Sequence, residues 1–235
     1  YDIIITINIG DGMMKIFLNG GGADIQTIDV YRRLNQIIDK SKPCLYIPLA
    51  MAQEKYDSCY EWIRGELKSI DVPNIGMVRS AEELSTKNLN DYSFLFIGGG
   101  NTFKLLHDLK KCVAFENILD YINNNGIVFG GSAGAIIFGK DLEACKIADK
   151  NEVDLKDING FDILNGISLL CHYTNQTPEK DEKSKQYLLE LSKYRTSVAL
   201  PEETTLYIND NDIEVIGSKP YYIFDKGQIL TKNRQ

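Results

Sequence analysis

A serine set among small residues is the feature of this sequence that most directly suggests chemistry. Residues 130–134 read GGSAG and fit the pattern G-x-S-x-G, between a buried-type strand and a helical pattern. A sharp strand-to-helix turn of this kind lifts the serine hydroxyl above the sheet edge, and only small neighbours fit around its strained backbone. The Ala133 amide then starts the helix, where it can stabilise an oxyanion. The pattern predicts a nucleophile at Ser132; the alternative is a glycine-rich turn that only packs.

A second glycine-rich loop covers residues 98–102, GGGNT, and also lies between a buried-type strand and a helical pattern. Its free amides can hold an anion, because glycine lets a ligand approach the backbone closely. The loop has neither a G-K-[ST] ending nor G-x-G-x-x-G spacing, so it lacks a nucleotide-binding fingerprint. Neighbouring parallel strands open on the same side of a sheet, so this loop can instead face Ser132 as a second oxyanion donor.

A serine nucleophile needs a base, and the chain contains only two histidines. His107 lies well inside a helical pattern next to Asp108, which favours a residue on a solvated helix face. His172 ends a predicted strand, in the sequence CHYTN, where catalytic side chains of open sheets collect. His172 is therefore the predicted base. Two histidines also argue against a histidine-rich metal site, and no metal or cofactor is expected.

The third member of such a site is an acid that orients the imidazole. The sequence LPEET offers two carboxylates directly after a predicted strand, and Glu202 comes first and is preferred over Glu203. The resulting chain order is serine, histidine, acid. An ordinary α/β-hydrolase has its histidine last, and no histidine follows His172, so that assignment is excluded.

Apolar runs and helical patterns must position these residues, and they alternate along most of the chain. Because strands alternate with helices, we expect a three-layer α/β fold with a mostly parallel sheet and helices on both faces. Four short strands separated by turns should then add a C-terminal antiparallel β meander. The predicted strands are 15–19, 44–49, 74–79, 94–97, 127–129, 167–173, 197–200, 205–208, 213–216, 221–224 and 228–230. The predicted helices are 25–38, 53–70, 102–110, 115–122, 133–138 and 181–194.

Composition restricts the class of partner. Of 235 residues, 43% are hydrophobic and 25% charged, and the net charge is −7 without a basic run, which argues against nucleic-acid binding. The longest strongly apolar stretch, 44–52, is too short to span a bilayer. Five cysteines without a C-x-x-C pair indicate reduced thiols and a cytoplasmic protein. We expect residues 1–12 to be a vector-derived or disordered leader and residues 13–235 to form a single domain.

Several blocks, taken in order, resemble the peptidase E (aspartyl dipeptidase) family of serine peptidases, which is related to cyanophycinase. The resemblance spans nearly the whole chain from Met14. The blocks are FIGGGNTFKLL at 96–106, GGSAGA at 130–135, HYTN at 172–175 and LPE at 200–202. The resemblance implies a fold like that of class I glutamine amidotransferases, with a serine in place of their cysteine nucleophile.

By motif position, the resemblance also implies the roles of individual residues. It makes Ser132 the nucleophile, His172 the base and Glu202 the orienting acid. It implies that the Gly100 and Ala133 amides form the oxyanion hole, with Gly99 as the donor if the loop alignment shifts by one. The further residues expected to contact substrate lie in the same blocks: Gly99, Asn101, Thr174 and Asn175. A small peptide is the implied substrate, and the protein is expected to be a monomer or homodimer.

One segment departs from the family pattern. Aspartyl dipeptidases recognise an N-terminal aspartate through an arginine after the catalytic histidine, whereas residues 177–186 here read TPEKDEKSKQ and contain no arginine. Lys183 or Lys185 can supply a point charge but not a bidentate fork, so strict aspartate specificity is not expected. Acyl transfer through an acyl-enzyme is the predicted reaction. The alternatives are an esterase or amidase acting on a non-peptide substrate and a non-catalytic module that binds a small anion.

Overall fold

The computed structural model describes residues 14–233, so the predicted leader over residues 1–12 lies outside the described part. The strands are β1 (Lys15–Asn19), β2 (Cys44–Ile47), β3 (Ile75–Met77), β4 (Phe94–Ile97), β5 (Ile127–Gly131), β6 (Ser168–Leu170), β7 (Ser197–Ala199), β8 (Thr204–Asn209), β9 (Asp212–Gly217), β10 (Tyr221–Asp225) and β11 (Gln228–Lys232). The helices are α1 (Ile28–Asn35), α2 (Tyr56–Glu66), α3 (Ala81–Ser85), α4 (Thr102–Lys110), α5 (Ala114–Asn123), α6 (Ala133–Ile136) and α7 (Pro178–Leu191).

Seven strands form the main sheet, in the order β3-β2-β4-β5-β1-β8-β9. The first five are parallel, and β8 and β9 add antiparallel strands at one side. Every residue of β2 and β4 is buried. Continuous apolar runs of this kind are typical of parallel strands that are covered on both faces. The predicted α/β fold with a mostly parallel sheet is thus confirmed.

Four strands form a second, smaller sheet in the order β11-β10-β7-β6. Strands β6 and β7 are parallel, and β10 and β11 run antiparallel to their neighbours. The C-terminal strands are antiparallel, as the sequence predicts, but they do not form one continuous meander. The β8–β9 hairpin extends the main sheet, and β10–β11 completes the second sheet, because the chain crosses between the sheets after Gly217.

The two faces of the main sheet carry separate clusters of buried side chains. One cluster packs α1 and α2 onto the sheet through side chains such as Leu34 and Ile63. The other packs α4, α5 and α6 onto the opposite face, with Leu106 and Ile118 among its members. Helices therefore cover both faces of the sheet. The carboxyl ends of β4 and β5 open on the same side, which brings the two glycine-rich loops together.

The predicted helices over 25–38 and 53–70 are α-helical only in their central parts. Helix α1 follows a 3-10 turn, and α2 is flanked by two more, while further 3-10 turns precede β4 and β6. These 3-10 turns are Asp24–Thr27, Gln53–Lys55, Leu67–Ser69, Leu89–Asp91 and Ala144–Ile147. No helix within residues 14–233 has the length and apolar character needed to cross a membrane.

Candidate active site

Ser132 occupies a strained turn between β5 and α6. Its backbone has φ 53° and ψ −114°, a conformation that non-glycine residues rarely adopt. The flanking glycines make the turn possible: a Cβ on Gly130 would lie 2.3 Å from the Gly134 oxygen, and one on Gly134 would lie 2.1 Å from the Ile97 oxygen. The Ser132 amide donates to the Asn19 carbonyl of β1 at 3.1 Å. The turn has the geometry that the G-x-S-x-G pattern predicts.

The Ser132 hydroxyl contacts the ring of His172. Ser132 Oγ lies 2.8 Å from His172 Nε2, and His172 Nδ1 lies 2.9 Å from Glu202 Oε1. His172 follows β6 with φ 58°, and its amide donates to the Gly20 carbonyl at 2.9 Å. The three predicted residues therefore form one continuous chain from hydroxyl to imidazole to carboxylate. His107 lies elsewhere, on α4, with its Nδ1 3.3 Å from Asp108.

The second carboxylate oxygen of Glu202 is also held. Gln26 Nε2 donates to Glu202 Oε2 at 3.0 Å, and the Glu202 amide donates to Asn175 Oδ1 at 2.9 Å. Gln26 lies between β1 and α1, and its side-chain oxygen Oε1 accepts from the Ala23 amide at 3.2 Å. No sequence pattern marks Gln26, because a lone glutamine in a 3-10 turn belongs to no motif.

Glu203 points away from the histidine. Its carboxylate accepts from Lys219 Nζ at 2.9 Å and from Asn175 Nδ2 at 3.0 Å. Burial acts to raise the pKa of Glu203, but its hydrogen bonds and the positive charge of Lys219 together outweigh burial and hold that pKa below its ordinary value. Of the two carboxylates that the sequence offers, Glu202 is the one in contact with His172.

A glycine-rich segment after β1 packs against the ring of His172. Gly21 has φ +107°, and a Cβ at this position would lie 2.2 Å from His172 Cε1. A Cβ on the preceding Gly20 would lie 1.9 Å from the Pro201 carbonyl oxygen. The close approach of this backbone to both His172 and the segment that carries Glu202 thus depends on the absence of side chains.

The loop after β4 lies against the serine. A Cβ on Gly99 would lie 3.1 Å from Ser132 Cβ, and Gly100 has φ +138°. Neither the Gly99 nor the Gly100 amide donates a hydrogen bond to another residue within 14–233. Ala133 begins α6 directly after the serine, and the first amides of a helix lack intrahelical acceptors. The Gly99 and Gly100 loop and the first turn of α6 thus place amides without an acceptor among the described residues in segments next to Ser132.

The other residues expected to contact substrate are arranged differently. Asn101 caps α4, since its Oδ1 accepts from the Lys104 amide at 2.9 Å and its Nδ2 donates to the Lys150 carbonyl at 2.9 Å. Asn175 binds the backbone of Glu202 and the side chain of Glu203, as described above. Thr174 is exposed, with φ 67°. For these three residues, substrate contact stays a prediction.

Two cavities flank His172. The first, of about 420 Å³, is also lined by Ser132, Gly99 and Gly100, and four aromatic side chains contribute to its wall. The second, of about 530 Å³, is lined by Asp149, Lys180 and Lys183 together with His172. Lys183 forms no ion pair with another described residue, whereas Lys185 pairs with Glu182 at 3.6 Å.

A mostly parallel sheet covered by helices, with a serine at the sharp turn after a buried strand, is typical of hydrolases that use a serine nucleophile. Comparison with known proteins assigns the chain more narrowly. The model of peptidase family S51 matches residues 16–216, and the chain belongs to this family. It is therefore a peptidase of the serine hydrolase class, and the resemblance noted in the sequence is confirmed.

Curated relatives and solved structures agree with this family. Peptidase E of Nostoc sp. (strain PCC 7120) is 29% identical over 197 residues, covering 80% of this chain and 77% of that protein. Peptidase E of Salmonella typhi is 26% identical over 194 residues, covering 80% and 82%. The fold is similar to that of a peptidase from an acI-B1 actinobacterium, with a TM-score of 0.70 at 17% identity, covering 94% of this chain and 96% of the other. A candidate peptidase E from Listeria monocytogenes EGD-e has a TM-score of 0.72 at 23% identity, covering 88% and 100%.

Proposed function

We propose that this peptidase cleaves small peptides through an acyl-enzyme on Ser132, with His172 as general base and Glu202 as the orienting acid. The observation that carries the proposal is the 2.8 Å contact between Ser132 Oγ and His172 Nε2, continued by the 2.9 Å contact between His172 Nδ1 and Glu202. A hydroxyl is a weak nucleophile until a neighbouring base accepts its proton, and the carboxylate stabilises the imidazolium that results.

The reaction begins when Ser132 Oγ attacks the scissile carbonyl carbon and passes its proton to His172 Nε2. The carbonyl oxygen becomes an oxyanion beside the amides of Ala133 and of Gly99 or Gly100, which have no hydrogen-bond acceptor within residues 14–233. When the tetrahedral intermediate collapses, the carbon–nitrogen bond breaks and His172 protonates the leaving amine. Water then attacks the acyl-enzyme with His172 again as base, which releases the acid product and restores Ser132.

We further propose that discrimination between aspartate and asparagine in the substrate is weak. Lys180 and Lys183 line the second cavity beside His172, so an acidic group can meet a positive charge there. A lysine ammonium acts as a point charge and cannot form the two parallel hydrogen bonds that an arginine gives a carboxylate. We expect the rates for Asp-Leu and Asn-Leu dipeptides to differ by less than about tenfold.

Labelling with a fluorophosphonate probe tests the proposed nucleophile. The probe should modify Ser132 in the wild-type protein, and labelling should be lost in Ser132→Ala and be strongly slowed in His172→Ala. Ser58 lines the same cavity, with its hydroxyl bonded to the Lys55 carbonyl, so Ser58→Ala is the matched control and should label normally. Labelling of the Ser132→Ala protein at the wild-type rate would refute the proposal.

Turnover separates a peptidase from an esterase with the same residues. We expect Ser132→Ala to retain the wild-type melting temperature and to lose peptide hydrolysis by about 10³-fold or more. Turnover of aryl esters without turnover of any dipeptide would favour the esterase alternative.

The five cysteines are all unpaired, which supports the proposed cytoplasmic location, since thiols persist in reducing compartments.

A further inference from the structure

The cavity that Ser132 lines has an aromatic floor. Aromatic side chains of five adjacent strands lie in register on one face of the main sheet, one from each strand. In strand order they are Tyr46, Phe96, Phe129, Phe17 and Tyr207. The Phe96 and Phe129 rings are stacked at 4.7 Å, and Tyr46 meets Phe96 edge-on at 5.8 Å. The first three of these rings line the cavity.

Glycines keep this floor uncovered next to the serine. Gly131 follows Phe129 by two residues, and a Cβ there would meet nothing closer than Phe129 Cε1 at 3.9 Å. A Cβ on Gly98, two residues after Phe96, would lie 2.9 Å from the Tyr46 hydroxyl. Side chains two residues apart on a strand share a face. The strand ends therefore leave open space above the rings, directly beside the nucleophile.

Helix α2 supplies the outer wall. Trp62 stands edge-on to Phe96, with the ring centroids 6.3 Å apart, and 42% of its surface is exposed. Cys59, one turn earlier on the same helix, and Met51 complete the apolar lining. Among the described residues that line this cavity there is no aspartate, glutamate, lysine or arginine. A large indole that lines this cavity and is left partly open to solvent offers a surface for an apolar group.

We propose that this cavity binds an apolar, aromatic-sized side chain of a residue that flanks the scissile bond, an inference that rests on the proposed function. Ser132 lines the same cavity as Trp62, Phe96 and Phe129, so a peptide whose carbonyl is at Ser132 Oγ can place a neighbouring side chain among these rings. A volume of about 420 Å³ is within the usual range for ligand pockets and holds a benzyl side chain with room to spare. The preferred substrates are small peptides with phenylalanine or leucine beside the cleaved bond.

Trp62 is the single tryptophan of the chain, so its fluorescence reports on the occupation of this cavity without turnover. The Ser132→Ala protein should be titrated with Phe-Ala, Ala-Phe and Ala-Ala. We expect one of the two phenylalanine dipeptides to change the emission of Trp62 and to bind about tenfold or more tightly than Ala-Ala. The dipeptide that does so identifies the side of the scissile bond. Equal binding of all three, no binding, or unchanged emission at saturation would each overturn the proposal.

Turnover of the same dipeptides tests the wall of the cavity. Trp62→Ala removes the wall of the cavity, and Cys59→Phe fills the cavity. Each variant should lower kcat/KM for the preferred phenylalanine dipeptide about fivefold or more relative to Ala-Ala. Arg64→Ala, on the same helix and outside the cavity, should leave the preference unchanged. A preference that persists in both cavity variants would refute the inference. Failure of the proposed function is distinguishable, because it removes fluorophosphonate labelling of the wild-type protein, which needs no side-chain pocket.

Discussion

Gln26 donates a hydrogen bond to Glu202 over 3.0 Å, and this contact joins the segment after the first strand to the carboxylate that holds His172. The two residues are 176 positions apart in the chain. A carboxylate that accepts from the imidazole on one oxygen and from an amide on the other has both oxygens fixed. The orientation of His172 toward Ser132 is thereby set by two elements that the fold brings together.

Replacement of Gln26 should therefore impair catalysis more than binding. We expect Gln26→Leu to lower kcat about tenfold with KM nearly unchanged, because Glu202 loses the donor that fixes its plane. Gln26→Asn, which keeps the amide on a shorter chain, should recover part of the loss. Steady-state kinetics on a dipeptide measure both constants.

A matched control for Gln26 lies on α7, where Gln186 Nε2 donates to Glu182 Oε1 at 3.1 Å on the surface. Gln186→Leu removes the same kind of hydrogen bond and should leave kcat unchanged. A Gln26→Leu protein with wild-type kcat would show that Glu202 needs no second partner.

The two adjacent glutamates should behave differently when neutralised. Glu202→Gln should reduce kcat by about 10³-fold or more, since an amide cannot stabilise the imidazolium and favours the wrong tautomer of His172. Glu203→Gln should change kcat little and should lower the free energy of unfolding by about 1 kcal/mol, through weaker bonds to Lys219 and Asn175. Parallel kinetics and urea unfolding of both variants provide the comparison. If Glu203→Gln lowered kcat more than Glu202→Gln, Glu203 would be the acid that orients His172.

Gly21 should not tolerate a side chain. In Gly21→Ala the new Cβ would lie 2.2 Å from His172 Cε1 in a backbone conformation with φ +107°, so the histidine ring has to shift. We expect kcat to fall about 10²-fold and the unfolding free energy to fall by about 1–3 kcal/mol.

Gly65 on α2 is the control for Gly21, because a Cβ there meets nothing within 4 Å. Gly65→Ala should keep full activity and raise the unfolding free energy by about 0.5–1 kcal/mol, the gain expected inside a helix. Urea unfolding should thus shift the two alanine variants in opposite directions, and kinetics should show a loss of activity for Gly21→Ala alone. An active Gly21→Ala protein would contradict the close packing behind His172.

Asp141 should make part of the stability dependent on pH. Its side chain is only 6% exposed; it accepts from Ser168 Oγ at 2.6 Å and pairs with Arg195. Burial acts to raise the pKa of Asp141, but the hydrogen bonds and the arginine outweigh it and lower that pKa. A lowered folded-state pKa means that the contribution is fully present above the unfolded value of about 3.9 and is lost as the pH falls through the folded value.

Urea unfolding at pH 7, 5 and 3 tests this assignment. Asp141→Asn should be less stable than wild type at pH 7, by about 3 kcal/mol, because it leaves Arg195 partly buried without its partner. The difference between the two proteins should shrink between pH 5 and pH 3. Asp154→Asn, at a well-exposed ion pair with Lys156, should stay within about 0.5 kcal/mol of wild type at every pH. If the difference in unfolding free energy between Asp141→Asn and wild type did not change with pH, ionisation of Asp141 would not contribute to stability.

The sequence by itself was enough to predict the parts of the site that depend on local patterns. Small residues around Ser132 indicate the sharp turn, because only glycine and alanine leave room for it. Alternating strands and helices predict the parallel sheet, and this places the ends of β4 and β5 on one side. The two-histidine count reduces the choice of base to His172, and the structure brings its ring to the Ser132 hydroxyl.

Only the tertiary structure decided which contacts are made between distant segments. The sequence favours Glu202 over Glu203 only because it comes first after the strand, whereas the course of the chain after β7 brings Glu202 to His172 and Glu203 to Lys219. The support from Gln26, the division of the C-terminal strands between two sheets and the aromatic cavity under Trp62 depend in the same way on packing. Local propensity acts over a few residues, whereas these contacts join elements far apart in the chain, and their geometry is fixed only when the sheets and helices pack together.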